Sequence, residues 1–262
     1  MKFLKLIIVL TVSLFAEELV TGIIKPIYDG KLSVATDGIL EKLYFKEGDI
    51  VKKNQVILKL DDKLQKLETQ RRKLVLNDKT QQVSLRANLK IMKTIIKQKE
   101  YFYKTTKAIS LNEVRQLRMQ YIKNKGELAS LIENKKKEKV EYKIALNVLK
   151  YYRLLSPVEG IIIKIDASLG EWVQTGKVIV EVMNIDRCFV EVDLSQDLLK
   201  RLEKDLKVKV EVEVKGKTVV KIGIIEFIST IADSSSSLVR AKVFFDNRDR
   251  AVIPGLSAHI IF

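Results

Sequence analysis

The side chains that most often carry covalent chemistry are scarce in this 262-residue chain. Cys188 is its only cysteine and His259 its only histidine. A thiol needs a base or a cationic neighbour to act as a nucleophile, and an imidazole needs a partner to relay a proton. One of each, with no paired acid signature, assembles neither a nucleophile set nor an acid–base pair. Four methionines add no clustered donor set for a transition metal. The expectation is therefore a non-enzyme with no metal and no cofactor. Cys188 reads as a small apolar core residue that cannot form an internal disulfide. His259, in an alternating apolar stretch, reads as structural.

The remaining chemistry is polar recognition at a helix start. Ser110-Leu111-Asn112-Glu113 has the capping-box spacing: the Ser110 hydroxyl accepts from the Glu113 amide, and the Glu113 carboxylate reaches back. That predicts a helix beginning at Ser110 and a tight turn from about Thr105 to Ile109. The flanking material suits long helices, because 61–155 contains one glycine, Gly126, and no proline. On the outward side the heptad stripe reads Leu64, Leu67, Leu74, Leu85, Met92, Ile95 and Phe102, interrupted by Arg71, Asp78, Gln81, Asn88 and Lys99. On the return it runs from Val114 through Leu117, Tyr121, Asn124, Leu128 and Leu131 to Ala145, Leu149 and Tyr152, with Lys135, Glu138 and Tyr142 between. Each arm has about 42 residues, which at 1.5 Å each gives an antiparallel hairpin of about 60 Å. Helices that long persist in water only by packing on a partner. The polar interruptions Arg71, Asp78, Lys135 and Glu138 suit a two-helix stalk, or one that waits for more helices.

On either side of this stretch lie two copies of one β pattern. Residues 37–60 align with 159–182 without a gap, pairing Gly38 with Gly160, Gly48 with Gly170 and Val51 with Val173. Apolar residues alternate through both copies, as half-buried strands require. Two such halves have to meet to close one small module. Beyond them, 184–262 is rich in short strands, with Lys215-Gly216-Lys217 and Pro254-Gly255 as turns and Asp233-Ser234-Ser235-Ser236-Ser237 as a polar loop, which suits a small barrel or sandwich.

The first residues read as an export signal: a basic start at Lys2 and Lys5, an apolar run from Leu6 to Phe15, and Ala16 ahead of Glu17-Glu18. The run is shorter than the ~20 residues that span a bilayer. The chain carries a net charge of +15, and 61–155 alone holds 24 Lys and Arg against 10 Asp and Glu. Nucleic-acid binding would call for aromatic platforms or a recognition fold, and an exported chain argues against it. The basic stalk reads as a solvated surface that meets acidic protein or anionic lipid heads.

A split β module around a long hairpin, followed by a small β-barrel, resembles the periplasmic adaptors, or membrane fusion proteins, of bacterial tripartite efflux pumps. Leu60-Asp61-Asp62 at the hairpin entrance, Leu155-Ser156-Pro157-Val158-Glu159-Gly160-Ile161 at its exit and Pro254-Gly255-Leu256 add to the resemblance. It implies an elongated α+β chain. The export signal occupies 1–16, a β-barrel domain 17–30 with 184–262, a biotinyl/lipoyl-like domain 31–60 with 156–183, and the α-helical hairpin 61–155. It also implies an inner-membrane transporter of the resistance–nodulation–division type, an outer-membrane channel and self-association into a ring in the periplasm. At the tip, Ser110 matches the serine of the family's docking pattern. Lys99 stands where that pattern has arginine and Tyr103 where it has leucine, with Ile109 beside the serine. The further membrane-proximal domain of longer members is expected to be missing here. Other readings are an adaptor of an ATP-driven exporter, a structural coiled-coil spacer of the envelope, and a carrier with a cofactor on lysine. Lys63 lies beside the junction where a carrier lysine would sit, but it reads as the first turn of the helix.

Overall fold

A computed structural model describes residues 19–262, so the expected export signal lies outside the described residues. Its architecture is mixed α+β: two β modules and a helical hairpin. The first half-motif forms β2 (Gly38–Leu43), β3 (Ile50–Val51) and β4 (Val56–Leu60), and β1 (Leu19–Ser33) precedes it. The hairpin consists of α1 (Lys63–Asn77), α2 (Thr80–Thr105) and α3 (Leu111–Tyr151). After β5 (Arg153–Leu155) the second half-motif gives β6 (Gly160–Ile165), β7 (Trp172–Val173) and the start of β8 (Val178–Leu194). The short helix α4 (Gln196–Leu199) leads to β9 (Lys207–Val214), β10 (Lys217–Ala232), β11 (Val239–Asp246) and β12 (Ser257–Ile261).

The sequence repeat is a repeat of strands and of hydrogen bonds. Gly38 pairs with Val173 and Ile39 with Trp172, while the equivalent Gly160 pairs with Val51 and Ile161 with Ile50. Each half thus lends its short strand to the other, an exchange with pseudo-two-fold symmetry. Loop bonds follow the same symmetry: the Gly48 amide donates to the Ile162 carbonyl at 2.8 Å, and the Gly170 amide to the Leu40 carbonyl at 2.9 Å. Gly48 and Gly170 sit at φ +89° and +83°, where a side chain would be strained. Leu40, Val51, Ile57 and Leu60 from one half and Ile162, Val173, Ile179 and Val182 from the other form a single buried core.

The second module follows from the alternation of β8 to β12. The pairings run β1-β12-β9-β10-β11-β8, and β8 pairs back with β1, which closes a ring of six strands with no free edge. Val190, Val192, Val210, Val212, Ile225, Val243 and Ile260 point inward, and Leu198 of α4 and Leu202 lie in the same core. Asn247, fully buried, donates from Nδ2 to the carbonyls of Ile185 and Val252 and accepts the Val252 amide, so its polar atoms are satisfied. Strands β1 and β8 continue from this ring into the split module, paired from Ile23–Glu191 to Ser33–Val178 with register shifts between Pro26 and Tyr28 and between Leu32 and Ser33. The expected limits at 30/31 and 183/184 therefore fall inside continuous strands.

Cys188 is completely buried in the ring core, and burial pushes its thiol up to about 11. The folded chain at pH 8 is expected to leave Ellman's reagent unreacted, with one thiol per chain appearing on denaturation. Rapid labelling of the folded chain would mean that the ring opens at this end. His259 is exposed on β12 and bonds Thr21 Oγ1 through Nδ1 at 3.0 Å.

The hairpin departs from expectation on its outward arm. Two residues interrupt it: Asp78 takes an extended conformation (ψ 109°), and Lys79 starts a new helix. The break is satisfied by side chains. The Asp78 carboxylate accepts the Thr80 amide at 3.0 Å, and the Lys135 ammonium donates to the Val75 carbonyl at 2.7 Å, which the Asp78 amide also meets at 3.3 Å. It also shifts the phase of the stripe. Gln65, Thr69, Arg72 and Leu76 face the partner helix before the break, and Gln82, Leu85, Leu89, Met92 and Ile96 after it. Leu64, Leu67 and Leu74, expected in the seam, are exposed, as are Ile95 and Phe102. On the unbroken α3, every residue of the expected stripe from Val114 to Tyr152 is buried or half-buried.

Candidate functional site

The hairpin ends in a five-residue loop, 106–110, between α2 and α3. Thr106 closes α2 by donating its amide to the Phe102 carbonyl at 3.0 Å, and Lys107 turns the chain in the left-handed region at φ +53°. Ser110 caps α3, but not as the capping box predicts. Its hydroxyl accepts the Asn112 amide at 3.2 Å, and the Glu113 amide bonds the Ser110 main-chain carbonyl. The Glu113 carboxylate turns away from Ser110 and pairs with the Lys99 ammonium across the hairpin. The reason is competition: a full charge from the facing helix attracts the carboxylate more strongly than a neutral amide does.

Of the residues expected to dock, Lys99 and Tyr103 lie one turn apart on α2, both half-buried toward α3. Ile109 is half-buried in the loop, and Ser110 is exposed. The structure thus gathers all four at one end of the hairpin while turning the two α2 residues partly inward. What lies open there is a set the stripe reading missed: Tyr101, Phe102 and Leu111, with Lys104 and Lys107 exposed alongside. Tyr101 and Phe102 meet edge to face, ring centroids 5.8 Å apart. Adjacent aromatics on a helix cannot both enter one seam, and that was the available signal.

Replacing Ser110 with alanine is expected to lower stability by about 1 kcal/mol, since one capping acceptor is lost. Asparagine restores the cap. A thermal melt of the two variants beside their transport phenotypes separates capping from contact: lost transport in the stable asparagine variant assigns Ser110 to the partner.

The hairpin root is built around a buried charge. Asp62, whose side chain is wholly buried, has Lys66 Nζ at 2.8 Å and Lys59 Nζ at 3.1 Å from Oδ1, and Lys59 also pairs with Glu41 on β2. Burial works to raise the Asp62 carboxyl, and the two ammonium groups outweigh it and hold it below its ordinary 3.8. The root therefore ties α1 to β4 through the Asp62 carboxylate, and Lys59 carries the tie on to Glu41 of β2. Along α1, Arg71 and Arg72 both bond Glu68 and hold its carboxyl down at about 2.

No described helix is long and apolar enough to cross a membrane. Among the described residues, no group of three or more His, Cys, Asp or Glu stands ready to hold a metal ion.

Comparison with known proteins gives a consistent picture. The family model of the barrel-sandwich hybrid domain of RND membrane fusion proteins matches residues 32–184, more than half of the chain. Among solved structures, MacA from Actinobacillus actinomycetemcomitans superposes with a TM-score of 0.80 at 22% identity, over 94% of this chain and 78% of that one. The membrane fusion protein Spr0693 from Streptococcus pneumoniae gives 0.61 at 14% identity, over 94% and 98%. An efflux transporter protein from Bacteroides eggerthii gives 0.58 at 21%, over 93% and 68%. At these identities the likeness is one of fold. No curated protein matches the chain in sequence.

Proposed function

We propose, from the premise that this chain belongs to the RND membrane fusion protein family, that it is the periplasmic adaptor of an efflux pump. In this reading it joins an inner-membrane transporter of the resistance–nodulation–division type to an outer-membrane channel, and several copies form a ring around a sealed duct. The observation that carries it is the exchanged pair of β halves with the hairpin inserted between them. A coiled-coil spacer needs the stalk alone, whereas a duct needs a body that packs beside its copies and a stalk that reaches outward.

Residues 1–16 then direct export, 17–30 and 184–262 form the barrel domain that faces the transporter, and 31–60 with 156–183 form the lipoyl-like domain. The hairpin 61–155 meets the channel with its tip, through Lys99, Tyr103, Ile109 and Ser110. The mechanism is mechanical. Packed side chains fill both β cores, so the adaptor handles its cargo by enclosing a path between copies. The shared strands β1 and β8 join barrel to lipoyl-like domain without a linker, so a movement at the transporter reaches the root of the hairpin directly.

Deleting the gene is expected to raise steady-state accumulation of a fluorescent pump substrate in intact cells, and plasmid-borne wild type to restore it. Unchanged accumulation of every dye and toxic compound tested would favour the spacer.

A further inference from the structure

Helix α2 carries a line of positive charge with no answering carboxylates. Between Asp78 and Glu100 the chain has no acidic residue. Lys79, Arg86, Lys90, Lys93, Lys97 and Lys104 are all exposed and follow helical spacing. At 100° per residue they fall within about 60° of arc, and the line runs for about 37 Å with successive charges about 5 Å apart in rise where they are densest. Among the described residues, none of the six has a carboxylate oxygen within 4.0 Å. Arg118 of α3 lies on the same side, where Lys93, Lys97 and Ile122 line one shallow groove with it.

Nine of the hairpin's ten carboxylates are already engaged. Glu68, Glu100, Glu113, Glu133, Glu138 and Glu141 all sit in ion pairs. Asp61 and Asp62 pair at the root, and Asp78 caps α2. The tenth, Glu127, is exposed and meets only Gln81 at 3.5 Å, so a second copy's hairpin offers one free carboxylate and no acidic face to lay against the line. A protein interface keeps apolar or aromatic anchors at its centre, and the arc holding the six cations has none. A bilayer-seated helix needs a continuous apolar strip beside the cations; here only Val83 and Tyr101 border the arc, about 27 Å apart, while Ile91, Ile95 and Phe102 are exposed on the opposite flank. A narrow line of charge, densest from Arg86 to Lys97, matches a linear polymer with a charge on each unit. The exposed Ile122 beside it offers a surface for the apolar face of a sugar ring.

We propose that this face of α2 binds a linear anionic polysaccharide, carrying carboxylate or phosphate groups, along the length of the hairpin. The inference goes beyond the adaptor reading and can fail or hold independently of it, since its test is a binding measurement and not a transport assay. The probe is a polygalacturonate decamer titrated onto the full folded chain at several salt concentrations. Affinity is expected to fall steeply with salt, because each neutralised charge releases a counterion. The combined change Arg86→Glu, Lys90→Glu, Lys93→Glu and Lys97→Glu is expected to weaken binding by at least about 30-fold. Its glutamine counterpart, which serves if charge reversal impairs folding by circular dichroism, is expected to lose about 10-fold. Equal charge reversal at Lys207, Lys209, Lys215 and Lys217, outside the hairpin, is expected to change affinity by less than about 3-fold. Equal losses in both sets would reduce the effect to net charge and overturn the proposal. It is also overturned if a glutamate-rich peptide, or vesicles with 30% anionic lipid, bind the same four residues more tightly than the polymer does.

Discussion

Replacing Leu128 with proline is expected to abolish efflux while leaving both β modules folded. Leu128 lies in the middle of α3, half-buried against the outward arm. Proline there removes one main-chain hydrogen bond and drives its ring into the preceding turn, at a cost of about 3 kcal/mol or more. The outward arm is already broken at Asp78, so α3 is the unbroken element that keeps the stalk straight. A second interruption removes that support, and the stalk loses its reach. The β modules close through contacts that do not involve α3, namely the exchanged strands and the six-strand ring. Helical ellipticity is expected to drop and β signal to remain, with substrate accumulation equal to that of the deletion strain. Leu85→Pro is expected to act likewise on the other arm. Normal efflux by either variant would remove the stalk from the mechanism.

The second large effect is expected at the hairpin root. Asp62→Ala leaves the part-buried Lys59 facing Lys66 with one counter-charge fewer, and removing one member of a buried pair costs about 3 kcal/mol. Because Lys66 is half-exposed, about 2 kcal/mol is the better expectation here. The pH dependence has a definite sign. The folded-state value of Asp62 is lowered, so its contribution is fully present above the ordinary 3.8 and is lost as pH falls through the lowered folded value. Chemical denaturation of wild type and Asp62→Asn from pH 7 to pH 2 reads this directly. Wild type is expected to lose its advantage over the variant below about pH 4. A gap that stays constant down to pH 2 would mean that Asp62 is not charged in the folded chain.

Much of this architecture is legible in the residues, because its signals are periodic and local. The repeat of 37–60 in 159–182 carries strand positions, turn glycines and core residues together, and the structure pairs the two copies residue for residue. The α3 stripe was legible because nothing interrupts the helix. The outward arm was not: one heptad phase runs through the sequence reading, whereas Asp78 and Lys79 break the helix, so Gln65, Thr69 and Arg72 face the partner before the break, off that phase, and Leu85 and Met92 meet it after. Asp78 stands in the sequence as a polar interruption, but the break there is also held by Lys135, 57 residues away, which bonds the Val75 carbonyl. The capping box failed for a related reason, since a local motif at Glu113 lost to a charge on the facing helix. Strands β1 and β8 cross from one module to the other, and composition does not change where they cross.

The adaptor reading rests on the hairpin tip meeting an outer-membrane channel. A photo-crosslinking amino acid at position 108, in the exposed loop between Thr106 and Ser110, tests this in intact cells. Capture of an outer-membrane channel protein is the predicted result, and it would also fix which end of the chain points outward. Capture of inner-membrane proteins alone, or of no envelope protein, would contradict it.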